Sequence, residues 1–222
     1  MPEIGGGGGS ITAWLCERVG PDGSVTATDL EPRYLRRLQA KNLEVLRHDI
    51  LADALPQNQF DFAHVRWLLH HLEEPRRALK SILKSLKPGG WLLAEEVDLA
   101  SVVPDLEASD EAALLVSKCV QTMKELLAMR GGNYHYGRQL FRDIRTIGFV
   151  RLGSHGRNSI GTVDSAQTAI WRLTIAAVQD PALATKKLTE QELDALRSLA
   201  SDPQFTWMGI TTVACWGQKP PS

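Results

Sequence analysis

Cysteine is scarce in this 222-residue chain: Cys16, Cys119 and Cys215 stand far apart in sequence and fall in different expected elements. Such spacing offers neither a metal cluster nor a redox pair, and it predicts small buried apolar residues in a reducing, cytoplasmic setting. No run of about eighteen apolar residues exists, and no basic segment followed by an apolar stretch opens the chain. Neither a membrane-spanning helix nor a secretion signal is therefore read. An excess of either charge is missing too: 25 Lys and Arg against 26 Asp and Glu leave a formal net charge of −1. That balance argues against nucleic acid or an anionic membrane as partner. With 43% apolar residues the length suffices for one well-cored domain over residues 1–222.

Glycine, by contrast, is concentrated at one place. The string Glu3-Ile4-Gly5-Gly6-Gly7-Gly8-Gly9-Ser10 reads as Glu-x-Gly-x-Gly-x-Gly opening a helix, with Asp29 twenty positions after Gly9. This is the layout of a nucleoside-cofactor site at the first strand-to-helix turn of an α/β sheet. Residues without Cβ let the backbone approach a ligand, and the following helix offers unpaired N–H groups. A glycine linker would look similar in isolation, but the string runs straight into a helical apolar pattern (Ile11, Trp14, Leu15, Val19), a Gly20-Pro21-Asp22-Gly23 turn and the β-prone run Ser24–Thr28.

Strand and helix patterns then alternate. Strands are expected at 42–48, 60–65 and 90–95, with a helix at 75–86 leading into the last of these. Alternation of this kind implies a parallel sheet with helices on both faces and ligand at the strands' carboxyl ends. Beyond residue 98 the pattern predicts helices at 107–129, 165–178 and 190–200, a helix ending near Gly148, a strand at 149–155 and a terminal strand run at 205–217.

The ordered set Glu3-x-Gly5-x-Gly7-x-Gly9, Asp29, His48-Asp49-Ile50, Phe60-Asp61 running into Arg66-Trp67-Leu68-Leu69-His70-His71-Leu72, and Leu86-Lys87-Pro88-Gly89-Gly90-Trp91 resembles the successive motifs of class I S-adenosylmethionine-dependent methyltransferases over residues 2 to about 98. The resemblance implies a Rossmann-like α/β fold: a seven-stranded, mostly parallel sheet with an antiparallel last strand, three αβα layers, and a helical lid inserted after strand five. Segments 100–135 and 160–202 would form the substrate cap. It implies S-adenosyl-L-methionine as cofactor, with Gly5, Gly7 and Gly9 lining its methionine part, Glu3 beneath the loop, Asp29 on the ribose diol, Asp49 on the adenine amino group, Leu30 and Ile50 as walls around the purine, and Arg66 and Trp67 near the sulfonium and carboxylate end. The partner expected is a small, partly apolar metabolite, methylated on O, N or C, and a homodimer is compatible with the sequence.

Each assignment has a plainer competitor. Asp29 and Asp49 could cap turns, but both fall at expected strand ends on the ligand edge. His70-His71 suggests metal, yet adjacent histidines point to different sides of a helix and no further ligand supplies the spacing, so no metal is expected. Arg76, Arg77, Lys80, Lys84 and Lys87 read as a solvated helix face. Among Glu95, Glu96 and Asp98, strand period two puts Glu96 and Asp98 on one side, to contact substrate or pair with Arg66. Tyr134, Tyr136 and Arg138 are further substrate candidates, and His71, Glu96 and His135 are candidates for a general base. Trp171 and Trp207 read as core. Relative to the family the first strand is short, so that either the start is truncated or the chain folds with a stump, and a missing preceding helix would leave the cofactor and substrate side open. Two other readings stay available: a non-catalytic methyltransferase-like binding or partner protein, and a nicotinamide-dependent oxidoreductase.

Overall fold

The computed structural model describes residues 1–221 and contains two compact units. The first comprises residues 1–96, 136–155 and 213–222, the second residues 97–135 and 156–212.

The first unit is built on a seven-stranded sheet. Its strands are β1 (Pro2–Ile4), β2 (Val25–Asp29), β3 (Leu43–Arg47), β4 (Phe60–Arg66), β5 (Leu86–Asp98), β7 (Val150–Arg157) and β10 (Thr211–Gln218), in spatial order β3-β2-β1-β4-β5-β10-β7. The pairs β1–β2, β2–β3, β1–β4 and β4–β5 are parallel. β10 runs against β5, since Gly89 N–H donates to Lys219 O and Lys219 N–H to Gly90 O. Three residues suffice for β1 because it is paired on both sides, Glu3 lying between Ala27 and His64. The strand order reverses direction at β1, between β2 and β4. In open α/β sheets such a switch point leaves a crevice at the carboxyl ends of the strands.

Strand parity decides what each face carries. Ile4, Ala63, Val65, Leu92 and Ala94 point to one face, into a core shared with α2 (Pro75–Ser85) and α4 (Gly137–Ile147). Glu3, His64, Leu93 and Glu95 point to the other, on the side of α1 (Ser10–Val19), where the buried cluster is only Leu15, Cys16 and Val25. A register shift between Phe60 and Phe62, beside the Lys-Pro-Gly-Gly turn, extends β5 well before the expected Gly90.

The second unit holds α3 (Asp110–Ala128), α5 (Ala166–Ala184) and α6 (Glu190–Leu199) with a small antiparallel sheet of β6 (Val103–Pro104), β9 (Trp207–Met208) and β8 (Ile160–Gly161). Ser109, Ser165 and Thr189 cap the three helices with side-chain oxygens, and Thr189 with Glu192 forms a complete capping box. Two expectations needed revision here. α5 runs on through Pro181 to Ala184, six residues past the expected end at Val178. The terminal run 205–217 is two strands rather than one, because Trp207 lies across Gly161, where an added Cβ would be 2.2 Å from the indole Nε1, and the chain breaks pairing at Gly209 before entering β10. All three cysteines are free and buried, with burial pushing the Cys119 thiol up to about 12 and the Cys215 thiol to about 11. No helix among the described residues is long and apolar enough to cross a membrane.

Candidate functional site

The glycine turn between β1 and α1 sits at the switch point. Gly5 and Gly6 both donate to Thr28 O, at 2.8 and 3.0 Å, which folds the turn back onto the end of β2. Gly5 takes φ +72° and Gly7 φ +51°, conformations that side chains disfavour. Around Gly7 and Gly8 an added Cβ would meet nothing within 4 Å, so this part of the turn faces open space. Asp29 stands beside it: Oδ2 accepts from Gly7 N–H and Oδ1 from Glu31 N–H, each at 2.9 Å. Each carboxylate oxygen keeps a lone pair beyond those bonds and can still accept from a hydroxyl.

The neighbouring strand ends complete the crevice. After β3, Asp49 Oδ1 caps the following turn through Leu51 N–H, Ile50 is buried, and the ring nitrogens of His48 are both buried with no hydrogen-bond partner. Leu30 next to Asp29 is 57% exposed, an apolar surface without a protein neighbour to cover it. After β4, Trp67 holds φ +53°, costly for a bulky residue, while its indole N–H is buried and unpartnered. Arg66 lies over the Trp67 ring, 5.0 Å from its centroid. Backbone strain and buried polar atoms without partners thus fall together at one end of the strands, the combination common at ligand-binding edges. His48 enters the sequence reading only as part of the His48-Asp49-Ile50 motif, with no role of its own, because only the fold shows that its nitrogens lack partners.

Glu3 is buried, but its carboxylate accepts from the Thr12 hydroxyl of α1 rather than from amides of the glycine turn. Its other oxygen lies 3.8 Å from His64 Nδ1, beyond hydrogen-bond reach, while His64 Nε2 is 3.3 Å from Glu95. Burial pulls the His64 pKa down, yet the two flanking carboxylates outweigh it and leave the imidazole raised above its ordinary 6.5. Stability contributed by a raised histidine is complete below 6.5 and disappears as pH rises through the folded-state pKa. His71 has the opposite sign: burial of the ring, then the neighbouring His70, lowers it to about 4, so its contribution is present above 6.5 and declines as pH falls toward that value. Urea midpoints measured from about pH 4 to about pH 9 should therefore fall on both flanks, with His64→Gln flattening the alkaline flank and His71→Gln the acid flank.

The general-base and substrate candidates separate by environment. Glu96 is 0% exposed and spent on the amides of Leu68, Leu69 and His70 and on His70 Nδ1. The carboxylate near Arg66 is Glu95, at 4.0 Å, because those two residues are register partners and Glu96 faces the opposite way. Tyr136 is likewise built into the core, its hydroxyl donating to Asp143 at 3.1 Å, with Arg76 on the same carboxylate at 2.8 Å. Arg138 is exposed at the start of α4. In the second unit, His135 Nδ1 is 2.8 Å from Asp98 Oδ1. With Nδ1–H donating to that carboxylate, Nε2 keeps its lone pair and can take a proton. Tyr134 is half-buried there, its backbone carbonyl accepting from Leu99 N–H. No group of three or more His, Cys, Asp or Glu suited to a metal ion occurs among the described residues.

Comparison with known proteins agrees with this geometry. A family model described as a methyltransferase domain matches residues 2–94. Methyltransferase str2 of Strobilurus tenacellus is 31% identical over 144 residues, 62% of this chain and 48% of that protein. The ubiquinone/menaquinone biosynthesis C-methyltransferase UbiE of Cronobacter sakazakii is 28% identical over 142 residues, 60% of this chain and 55% of its own length. The chain thus spans about half the length of the curated relatives it matches. Among solved structures, phosphoethanolamine N-methyltransferase 2 of Haemonchus contortus, in complex with phosphomonomethylethanolamine and S-adenosylhomocysteine, aligns with TM-score 0.60 and 18% identity, covering 99% of this chain and 48% of that one. The [4+2]-cyclase SpnF aligns with TM-score 0.57 and 19% identity over 100% of this chain and 75% of that one. Both likenesses show the fold, and the second shows that the fold also carries other chemistry.

Proposed function

Residues 2–94 belong to the class I S-adenosylmethionine-dependent methyltransferase family, and from that premise we propose that the chain binds S-adenosylmethionine and transfers its methyl group to a small, partly apolar molecule. The observation that carries this reading is the open glycine turn at the switch point with Asp29 held 2.9 Å from Gly7 N. The residues present fit the cofactor: Gly7 faces open space for its methionine part while Gly5 and Gly9, packed against Leu68 and Leu38, hold the turn in place, Asp29 accepts from the ribose hydroxyls, Leu30 and Ile50 flank the purine with Asp49 at its amino group, and the unpartnered indole N–H of Trp67 finds an acceptor beside Arg66. Glu3 acts one step away, by anchoring α1 through Thr12 under the turn.

The cofactor supplies a methyl group already activated by the sulfonium charge. The residues of the chain therefore have to hold, orient and exclude water rather than generate a reactive group. For a neutral hydroxyl acceptor, His135, oriented by Asp98, is the proposed proton acceptor. The segments 100–135 and 160–202 are proposed to recognise the acceptor.

Titration calorimetry with S-adenosylmethionine, S-adenosylhomocysteine and NAD tests the reading. The expected result is binding of the first two with a dissociation constant on the order of micromolar, none of NAD, and a loss of about 100-fold or more in Asp29→Ala. Absence of binding by a folded chain would overturn it in favour of a non-catalytic relative, and NAD binding would redirect it to hydride transfer. Methyl transfer from labelled cofactor to a panel of small phenols, amines and activated carbon acids would then identify the acceptor class.

A further inference from the structure

The chain has six histidines, and their surroundings differ in a way that bears on the methyl acceptor. His48 has both ring nitrogens buried without partners, and His64 is buried between Glu3 and Glu95. Buried His70 is engaged by Glu96, and burial lowers its neighbour His71 to about 4, too low for a useful base near neutrality. His155 is exposed on β7 and enters no ion pair among the described residues. Only His135 combines a ring oriented by a carboxylate with an open nitrogen: Nδ1 lies 2.8 Å from Asp98 Oδ1, while Nε2 has no protein partner among the described residues.

The frame around this pair is over-determined. Asp98 Oδ1 also accepts from Ala100 N–H at 3.2 Å, Asn133 Oδ1 accepts from His135 N–H at 2.9 Å, and Leu99 N–H donates to the Tyr134 carbonyl at 3.0 Å. These bonds stitch residues 98–100 to 133–135, so carboxylate and imidazole are held through their own backbones as well as through their mutual contact. Asp98 is the last residue of β5, and in open α/β sheets ligands belong at the carboxyl ends of the strands.

The use of such a base restricts the acceptor. An amine attacks through its own lone pair and sheds a proton after the methyl group has arrived, and in its ammonium form it is repelled by the sulfonium charge. A carboxylate is already ionised at neutral pH. A hydroxyl group has to lose its proton as it attacks, and the anion forming beside a sulfonium is stabilised by that charge. Hydroxyls divide further by acidity. A phenol, with a pKa of about 10, lies within about four pKa units of an ordinary imidazole, whereas a hydroxyl as weakly acidic as water, about 15.7, lies about nine units away.

We propose that the methyl acceptor is a phenol or a comparably acidic enol, and that His135 takes its hydroxyl proton while Asp98 positions the imidazole. The proposal rests on the reading that the chain binds S-adenosylmethionine. The proton passes to Nε2, an oxygen lone pair forms the bond to the methyl carbon, and the carbon–sulfur bond breaks with its electron pair remaining on sulfur. Ether, thioether and one proton result, and the proton leaves to solvent from the imidazole, which is 28% exposed.

Two measurements on the same variants test this. In the chain without cofactor, nitrogen NMR should show His135 as the Nδ1–H tautomer, displaced toward Nε2–H in Asp98→Asn. A tautomer indifferent to Asp98→Asn would overturn the role given to Asp98. With S-adenosylmethionine, the wild type is expected to methylate phenols and not aniline, and turnover of un-ionised phenols should fall about 100-fold or more in both His135→Asn and Asp98→Asn. An acidic phenol already ionised in solution, 4-nitrophenol at alkaline pH, should lose less than about threefold, because no proton remains to be taken. A merely structural defect would slow both kinds of phenol alike. Equal losses on neutral and ionised phenols, transfer to aniline in preference, or no transfer to any phenol or enol would each overturn the proposal. Calorimetry keeps it apart from the reading beneath it: both variants should bind S-adenosylmethionine as the wild type does, and a folded wild type that fails to bind would overturn the cofactor reading instead.

Discussion

Glu96→Ala is expected to lower folding stability by about 3–5 kcal/mol, the usual range when one partner of a buried charged network is removed. Glu96 has no solvent access, and its Oε1 accepts from Leu68 and Leu69 N–H at 3.0 and 2.6 Å while Oε2 takes His70 N–H and Nδ1 at 3.3 and 2.7 Å. The carboxylate thereby caps the short turn Leu69–His71 that follows β4, satisfying amides that no helix or strand can pair. Alanine removes the acceptor of three amides and the carboxylate that faces His70 Nδ1, in a site that water cannot reach. Glu96→Gln keeps one carbonyl oxygen for the two strongest amide bonds and should cost only about 1–2 kcal/mol. Urea denaturation monitored by tryptophan fluorescence checks both, and equal effects of the two substitutions would contradict the account. Since the same turn follows Arg66 and Trp67, Glu96→Ala should also weaken cofactor binding without Glu96 touching the ligand.

The second large effect concerns the glycine turn, where adjacent positions should respond differently. Gly5→Val places a β-branched residue at φ +72° with its Cβ 3.0 Å from Leu68 Cδ2, so strain and overlap both act. A destabilisation of about 2–4 kcal/mol is expected, with loss of cofactor binding because the bonds to Thr28 O anchor the crevice. Gly7→Ala meets no protein atom within 4 Å and should cost only about 1 kcal/mol of left-handed strain. Its methyl group instead enters the space assigned to ligand, so affinity should fall by about tenfold or more while the denaturation midpoint moves less than in Gly5→Val. Calorimetry and denaturation on the two variants separate these outcomes. A Gly7→Ala variant with unchanged affinity would remove the turn from the cofactor site.

Much of the first unit was legible because its determinants are local. Alternation of apolar runs, the Gly20–Gly23 turn, Pro75 opening a helix and Gly148 closing one each act within a few residues of where they are read. The glycine turn was legible for the same reason, as was Asp29, whose bond to Gly7 spans 22 positions but follows from a strand-end carboxylate beside a strand-end loop. Less was legible at β5. Period two says that Glu95 and Glu96 face opposite ways, but not which of them meets Arg66, and the pairing of Arg66 with Glu95 depends on a register that includes a bulge.

The sequence by itself determined the order of elements, the parallel character of the sheet and the position of the candidate crevice, because hydrophobic period, turn chemistry and connection handedness act along the chain and leave few topologies. Only the tertiary structure decided that Glu96 is a buried cap, that Asp98 and His135 meet, and that the run before β10 breaks at Gly209. Each of these depends on which residues distant in sequence arrive together, and a hydrogen bond or an exposed face exists only once both sides of it have been placed.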